Sequence, residues 1–299
     1  NRGDHLGHEA TRLTPAEVIT AILAAQVDLL WFGGIGTYVR GDAESDAAVG
    51  DRANDGVRVG ASQVRAQVIG EGANLGVTQQ GRVDFARAGG GINTDAIDNS
   101  AGVDCSDHEV NIKILLGAAV AAGDLTAIQR DRLLADMTDE VADLVLRDNY
   151  DQTQALTLMA DAAAAQLDDH QALIRALERG PLKLDRRLEG LPDEEEMAAR
   201  RAAGAGLTRP ELAVLLAYAK MDLFDRLEAS DLPDDDALAD DLVAYFPDRL
   251  NAQFGDLIPR HRLGREIIAT SVTNALMNRL GADAVRNLSA RSGAGDDEV

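Results

Sequence analysis

The sequence predicts an α/β segment built on a parallel sheet over about residues 1–116, followed by a mostly α-helical domain. Three observations predict it. Short apolar runs alternate with glycine-rich loops through the first third of the chain, the rhythm of strands joined by helices. From about Asp107 onward the apolar residues recur at helical spacing instead. The hydrophobic fraction is 45% with only 3% aromatics, so the core has to be packed from Ala, Leu, Val and Ile.

In order, Thr14-Pro15-Ala16-Glu17 predicts a helix start: Thr as N-cap, Pro in the first turn, Glu three residues on, with the helix running to about Ala25. Val27–Phe32 reads as a buried strand closed by Gly33-Gly34-Ile35-Gly36, and residues 40–60 as loop with a short helix. A strand over Ala66–Ile69 leads into the Glu71–Asn74 loop, then a helix over Gln80–Arg87 ending at Gly89-Gly90-Gly91. Ile92–Ile97 is expected to be a third strand. Strands separated by helices pair in parallel, and ligands of such sheets sit beyond the strands' C-terminal ends, where these glycine- and Asn-bearing loops fall.

In the helical part, Ser106-Asp107-His108-Glu109 has the form of a capping box, as do Thr126–Gln129, opening a helix to about Arg147, and Thr208–Glu211. Leu212, Leu215, Leu216, Ala219, Leu223 and Leu227 form one stripe of the helix after Thr208. A last long helix is expected over Arg262–Leu280. The acidic stretches 191–196 and 232–236 read as solvated connections, and residues 286–299 as a disordered tail. The expected domains are therefore 1–116, 117–285 and that tail.

Net charge is −22, from 51 acids against 29 bases, which disfavours nucleic acid or an anionic membrane as partner. No segment approaches the roughly 18 apolar residues that span a bilayer. A single cysteine, Cys105, excludes an internal disulfide and fits a reducing, cytoplasmic setting; a buried, inert thiol is its default reading. The sequence begins at Asn1 without Met or an apolar leader, as expected of a processed or truncated piece.

Gly70, Gly72 and Gly76 come close to a dinucleotide fingerprint, but the spacing is off by one and no helix opens within the loop. Asn74 and Asn99 offer amide donors and acceptors at strand ends, fitting either a ligand or an ordinary turn. Ser106 is explained as a helix cap, although a helix start with a hydroxyl also suits a carboxylate. His5, His8, His108, His170 and His261 show no metal-ligand spacing, so no metal is expected. No Ser-His-Asp arrangement is apparent.

Four strings in the sequence are more specific. Val27-Asp-Leu-Leu-Trp-Phe-Gly-Gly-Ile-Gly-Thr-Tyr38, Ile69-Gly-Glu-Gly-Ala-Asn-Leu-Gly-Val-Thr78, the run from Ile92 to Ile114 and the run from Gly206 to Asp222 closely resemble the large bacterial NAD-specific glutamate dehydrogenases. The resemblance extends from about Thr14 to Gly281 and corresponds to the C-terminal portion of those longer enzymes. It implies the second half of a Rossmann-like nucleotide-binding catalytic domain followed by the C-terminal helical domain. Asn74 and Asn99, with Gly72 and Ala73 of the same loop, would contact NAD around the nicotinamide. Val103 would lie against the glutamate side chain and Ser106 would hold its γ-carboxylate. Ser100-Ala101-Gly102 stands where smaller glutamate dehydrogenases have Ala-Gly-Gly. Glu71 is expected to brace the loop.

The implied reaction is the oxidative deamination of L-glutamate to 2-oxoglutarate and ammonia with hydride passing to NAD, in a homo-oligomeric full-length protein. The catalytic lysine and aspartate of the family precede this segment, so no catalytic residue is expected in this chain, and it is expected to be inactive alone. Lys113, Lys183 and Lys220 are its only lysines and none matches the catalytic motif. A competing reading is a non-catalytic helical interaction or regulatory module carrying a vestigial nucleotide-binding half-domain. A dehydrogenase for leucine or valine would need an apolar side-chain pocket, against which Ser106 argues.

Overall fold

The computed structural model describes residues 12–293. The chain divides into two compact units that interleave along the sequence: the residues up to Asn99 join Leu156–Leu215, and Ser100–Ala155 join the residues from Leu216 onward.

In the first unit, α1 (Pro15–Leu23) opens with the expected reciprocal box between Thr14 and Glu17. Then come β1 (Leu29–Phe32), β2 (Val39–Arg40), α2 (Asp46–Val49), β3 (Val59–Gly60), β4 (Val68–Glu71), α3 (Gln79–Arg87), β5 (Gly91–Ile92) and α4 (Asp95–Asp98). Strands β1, β4 and β5 form a parallel sheet in that order, with Leu30 opposite Ile69 and Ile69 opposite Ile92. A second parallel pair, β2 with β3, is only two residues long and falls within the stretch expected to be loop.

One face of the main sheet presents Leu30, Phe32, Ile69 and Ile92 to a core that includes Leu23, Val77 and Phe85. The alternate face presents Leu29, Trp31 and Val68, each exposed, which is unusual for a parallel sheet. The expected third strand stops at Ile92. Residues 95–98 instead form α4, where Asp95 sits in the first turn of a helix, a favourable place for an acid.

The long helices are α5 (Ser100–Ala122), α6 (Ala127–Asp136), α7 (Thr138–Ala162), α8 (Leu167–Arg179), α9 (Glu194–Ala203) and α10 (Arg209–Ala229). They are followed by α11 (Ala239–Tyr245), α12 (Asp248–Phe254), α13 (Gly264–Leu280) and α14 (Ala284–Ser292). In the second unit Ile112, Leu115 and Leu116 of α5 pack with Leu133, Leu242, Phe246, Leu250 and Ile267 in one core.

Three local expectations change. The helix expected from Thr126 to about Arg147 breaks at Met137, so α6 and α7 are separate. The acidic stretch 193–196 is the start of α9, capped by the Asp193 carboxylate on the Glu196 N–H at 2.8 Å. Residues 286–292 are helical in α14, with Val285 and Ser289 buried, so the expected tail is folded that far; residues 294–299, like His5 and His8, lie outside the described residues.

Candidate functional site

The loop after β4 is held from beneath by a buried ion pair. Glu71 is fully buried and its carboxylate accepts two bonds from Arg82, Nε at 2.7 Å and Nη2 at 2.9 Å. Glu71 Oε1 also accepts the Val77 N–H at 2.9 Å, tying both ends of the loop together. Burial raises the Glu71 carboxyl above its ordinary value, with the Arg82 guanidinium opposing. Glu71 braces the loop, as expected.

From the other side, α4 clamps the same loop. Asp98 accepts the Glu71 N–H and Asp95 accepts the Leu75 N–H, each at 2.8 Å. Leu75 is held at φ 59°, a left-handed conformation that a branched side chain adopts only when its surroundings enforce it. The indole of Trp31 lies over Gly70 and Gly72, where a Cβ would meet the ring at 2.5 and 2.4 Å. Glycine is required at both positions by that close approach. The Ala73 N–H donates to the Phe32 carbonyl at 3.1 Å.

These constraints leave Asn74 exposed beside Asn99, which caps the C-terminus of α4 rather than ending a strand. Asn99 Nδ2 donates to Asn74 Oδ1. The two predicted amides, 25 residues apart in sequence, are therefore neighbours. A groove of about 270 Å³ lies over the exposed sheet face, lined by Trp31, Gly70, Asn93, Asp98 and Arg209 but by neither Asn74 nor Asn99.

Arg209 was missed by sequence reasoning. Its Nε donates to Asn93 Oδ1, and Asn93 Nδ2 donates to Asp98 Oδ1 at 2.6 Å, which links the start of α10 to the loop clamp. Burial lowers the Arg209 pKa, with Asp98 and Asp161 opposing. A sequence signal existed: a cation in the first turn of a helix opposes the helix dipole, so it needs another reason to be there.

Val103 and Ser106 lie in the second unit, three residues apart on one exposed face of α5. Ser106 is not a helix cap. Helix α5 begins at Ser100, so the Glu109 N–H falls inside the helix, where it is satisfied by a backbone carbonyl. Glu109 instead accepts from Lys113 one turn on. Cys105 is exposed, contrary to the buried thiol expected, because it sits on the outer side of the same two turns.

The inner side of α5 carries Asp104 and His108, which meet Asp148 of α7. Burial pushes the Asp104 carboxyl up to about 6, with His108 opposing and Asp148 adding to the rise. Lys220 of α10 is half-buried; its Nζ donates to Gln152 Oε1 at 3.0 Å, and burial lowers its pKa to about 8.

Comparison with known proteins identifies the lineage of this arrangement. The family described as bacterial NAD-glutamate dehydrogenase, catalytic domain, matches residues 3–159, more than half of the chain. The chain belongs to the bacterial NAD-glutamate dehydrogenase family. A second family, glutamate dehydrogenase, C-terminal, matches residues 204–299. The chain is 54% identical over 286 residues to the NAD-specific glutamate dehydrogenase of Pseudomonas aeruginosa, covering 95% of this chain and 18% of that protein. It is 54% identical over 274 residues to the NAD-specific glutamate dehydrogenase of Mycobacterium tuberculosis, covering 91% and 17%. The Halomonas elongata enzyme of the same description is 48% identical over 288 residues, covering 96% and 18%. The chain thus spans under a fifth of the length of these relatives. Among the described residues no helix is long and apolar enough to cross a membrane.

Proposed function

We propose that this chain forms the nicotinamide-side loop and the glutamate-side helix of an NAD-dependent glutamate dehydrogenase. The reaction converts L-glutamate, NAD+ and water into 2-oxoglutarate, ammonia, NADH and a proton. The observation that carries the reading is the Asn74–Asn99 amide pair, set at the C-terminal end of a parallel sheet on a loop braced by Glu71–Arg82. NAD, when bound, supplies the acceptor for the hydride leaving the glutamate Cα.

The donor set fits such a group. The bond between the two amides engages one carbonyl and one N–H, and amides have further donors and acceptors for a carboxamide or ribose hydroxyls. Gly72 and Ala73 belong to the same loop and would meet the cofactor from it, beside the half-exposed Trp31 indole that packs on Gly72. On α5, Ser106 would donate its hydroxyl to the substrate γ-carboxylate while Val103 packs against the substrate methylenes. Because the loop is clamped before any ligand arrives, little ordering is left to be done on binding.

The chemistry also needs a lysine to polarise the intermediate and an aspartate to move a proton. Lys113 pairs with Glu109, Lys183 donates to the Arg179 carbonyl at 3.2 Å and Lys220 bonds Gln152, so each lysine present has a structural partner. We assign the catalytic pair to the family's polypeptide outside these residues. The 299-residue chain is then expected to neither turn over glutamate nor bind NAD tightly on its own; glutamate-dependent NADH production by the purified chain would refute this.

The roles are tested in the full-length enzyme. Asn74→Ala and Asn99→Ala should each weaken NAD binding about tenfold, the size expected for losing one or two ligand hydrogen bonds. Ser106→Ala should raise the KM for glutamate while NAD affinity is retained. Unchanged NAD affinity in both asparagine variants would overturn the assignment of the loop.

A further inference from the structure

Apart from the loop and the outer face of α5, the second unit contains a polar cluster that is not internally satisfied. His108 is 2% exposed, and its ring stacks on Tyr245 with centroids 4.4 Å apart and planes 23° apart. Neither ring nitrogen has a hydrogen-bond partner, and Asp104 Oδ2 is likewise buried without one. Native interiors rarely leave such atoms unmatched; each calls for a water, an ion or other ligand, or a functional role.

The neighbours of His108 are placed for a third atom. Nε2 lies 3.9 Å from Asp104 Oδ1 and 3.9 Å from Asp148 Oδ2, too far for a hydrogen bond in either case. One ligand atom from each of the three residues falls within 4.8 Å of the other two. A point equidistant from the corners of such a triangle is at most about 2.5 Å from each, within a few tenths of an ångström of zinc–nitrogen and zinc–carboxylate bonds. The Asp148 side chain is about half exposed and free to close that difference, whereas Tyr245 fixes the imidazole plane. Tyr245 is itself held by its hydroxyl, which donates to Asp107 at 2.7 Å and accepts from Asn111 at 2.8 Å.

The three residues line a cavity of about 460 Å³ whose wall also carries Asp107, Asp151 and Asp241, against Arg147 and Arg279. Five carboxylates against two guanidinium groups make the cavity attractive to a cation. We propose that Asp104, His108 and Asp148 bind a divalent transition-metal ion of the zinc or manganese class, which would tie α5 to α7. An imidazole with two carboxylates suits these ions better than magnesium or calcium, which take oxygen ligands alone. Coordination beyond the three side chains would come from water in the cavity. The proposal is independent of the roles given to Asn74, Asn99 and Ser106.

Cobalt(II) is the probe of choice, because its visible absorption reports coordination directly. Titrated into the full chain with excess magnesium to occupy the acidic surface, it should give one ligand-field spectrum per chain that zinc abolishes. Asp148→Asn and His108→Gln should each lower cobalt affinity at least tenfold, while the surface variant Glu195→Gln leaves it unchanged. Asp148 is half exposed, so its variant remains informative if His108→Gln fails to fold. Cobalt binding that is equally tight in Asp148→Asn, or that excess magnesium eliminates in the unmodified chain, would overturn the proposal.

Discussion

Two polar clusters in this chain, one wholly buried and one centred on a buried histidine, are built on opposite principles. Glu71 and Arg82 close on themselves: both carboxylate oxygens and the guanidinium fork are occupied, and the leftover capacity is taken by Val77 and Asp95. Asp104, His108 and Asp148 do not close, since no pair among them comes within hydrogen-bond distance at the imidazole. The first cluster is a brace whose value lies in leaving nothing unpaired. The second has the chemistry of a receptor. The difference shows that burial of charged groups does not by itself tell structure from function; how far their bonds are met is a second observation to set beside it.

Breaking the closed cluster should have the largest effect. Arg82→Leu leaves a buried carboxylate uncompensated and is expected to cost about 3–5 kcal/mol of stability in urea unfolding. Adding Glu71→Leu should recover much of that loss, because the pair as a whole is close to neutral in stability against apolar residues. A second-site loss equal to the first would mean the two do not act as a unit.

Lys220 extends the comparison to a half-buried charge bonded to a neutral amide. Its folded pKa, about 8, is depressed from 10.5, so the folded state releases the proton first. Stability of the native chain should therefore rise as pH increases from about 8 towards 10.5. Lys220→Met should add about 1–3 kcal/mol at pH 7 and abolish that rise, as read from unfolding curves across the range.

His108→Phe sharpens the contrast from the open side. It keeps the ring stack on Tyr245 and removes two unmatched nitrogens, so with chelator present stability should change by less than about 1 kcal/mol. A loss comparable to Arg82→Leu would place His108 in a closed network after all.

The smallest effect is expected at the surface. Glu194 accepts from Arg175 and Arg186, and the Arg175 bond foremost holds its carboxyl down at about 2 against an ordinary 4.5. Its contribution is present above pH 4.5 and lost as pH falls towards 2. Glu194→Gln should flatten that portion of the acid unfolding profile only slightly, given its exposure to solvent.

Much of this architecture was legible in the residues themselves. Thr14 and Thr126 box their helices as their neighbours predict, because Pro15 or a preceding polar turn leaves the cap residue at a true chain bend. The same four-residue pattern at Ser106 misleads, since nothing upstream stops the helix from starting at Ser100. Strands β2 and β3 are too short to carry any alternation and exist only through their pairing. At the loop, the resemblance singles out Asn74 and Asn99, which the fold makes neighbours, while Arg209 reaches Asn93 only through tertiary contact. Asp104 and His108 are one helical turn apart and could have been flagged; Asp148, 40 residues away on another helix, could not.

Trp31 is the only tryptophan in the sequence, and its indole rests half exposed on the glycines of the Asn74 loop. The molecule therefore carries an intrinsic fluorophore beside the loop we propose to receive the nicotinamide. Indole emission overlaps the absorption of that ring, so quenching by energy transfer would follow occupancy in real time without any label.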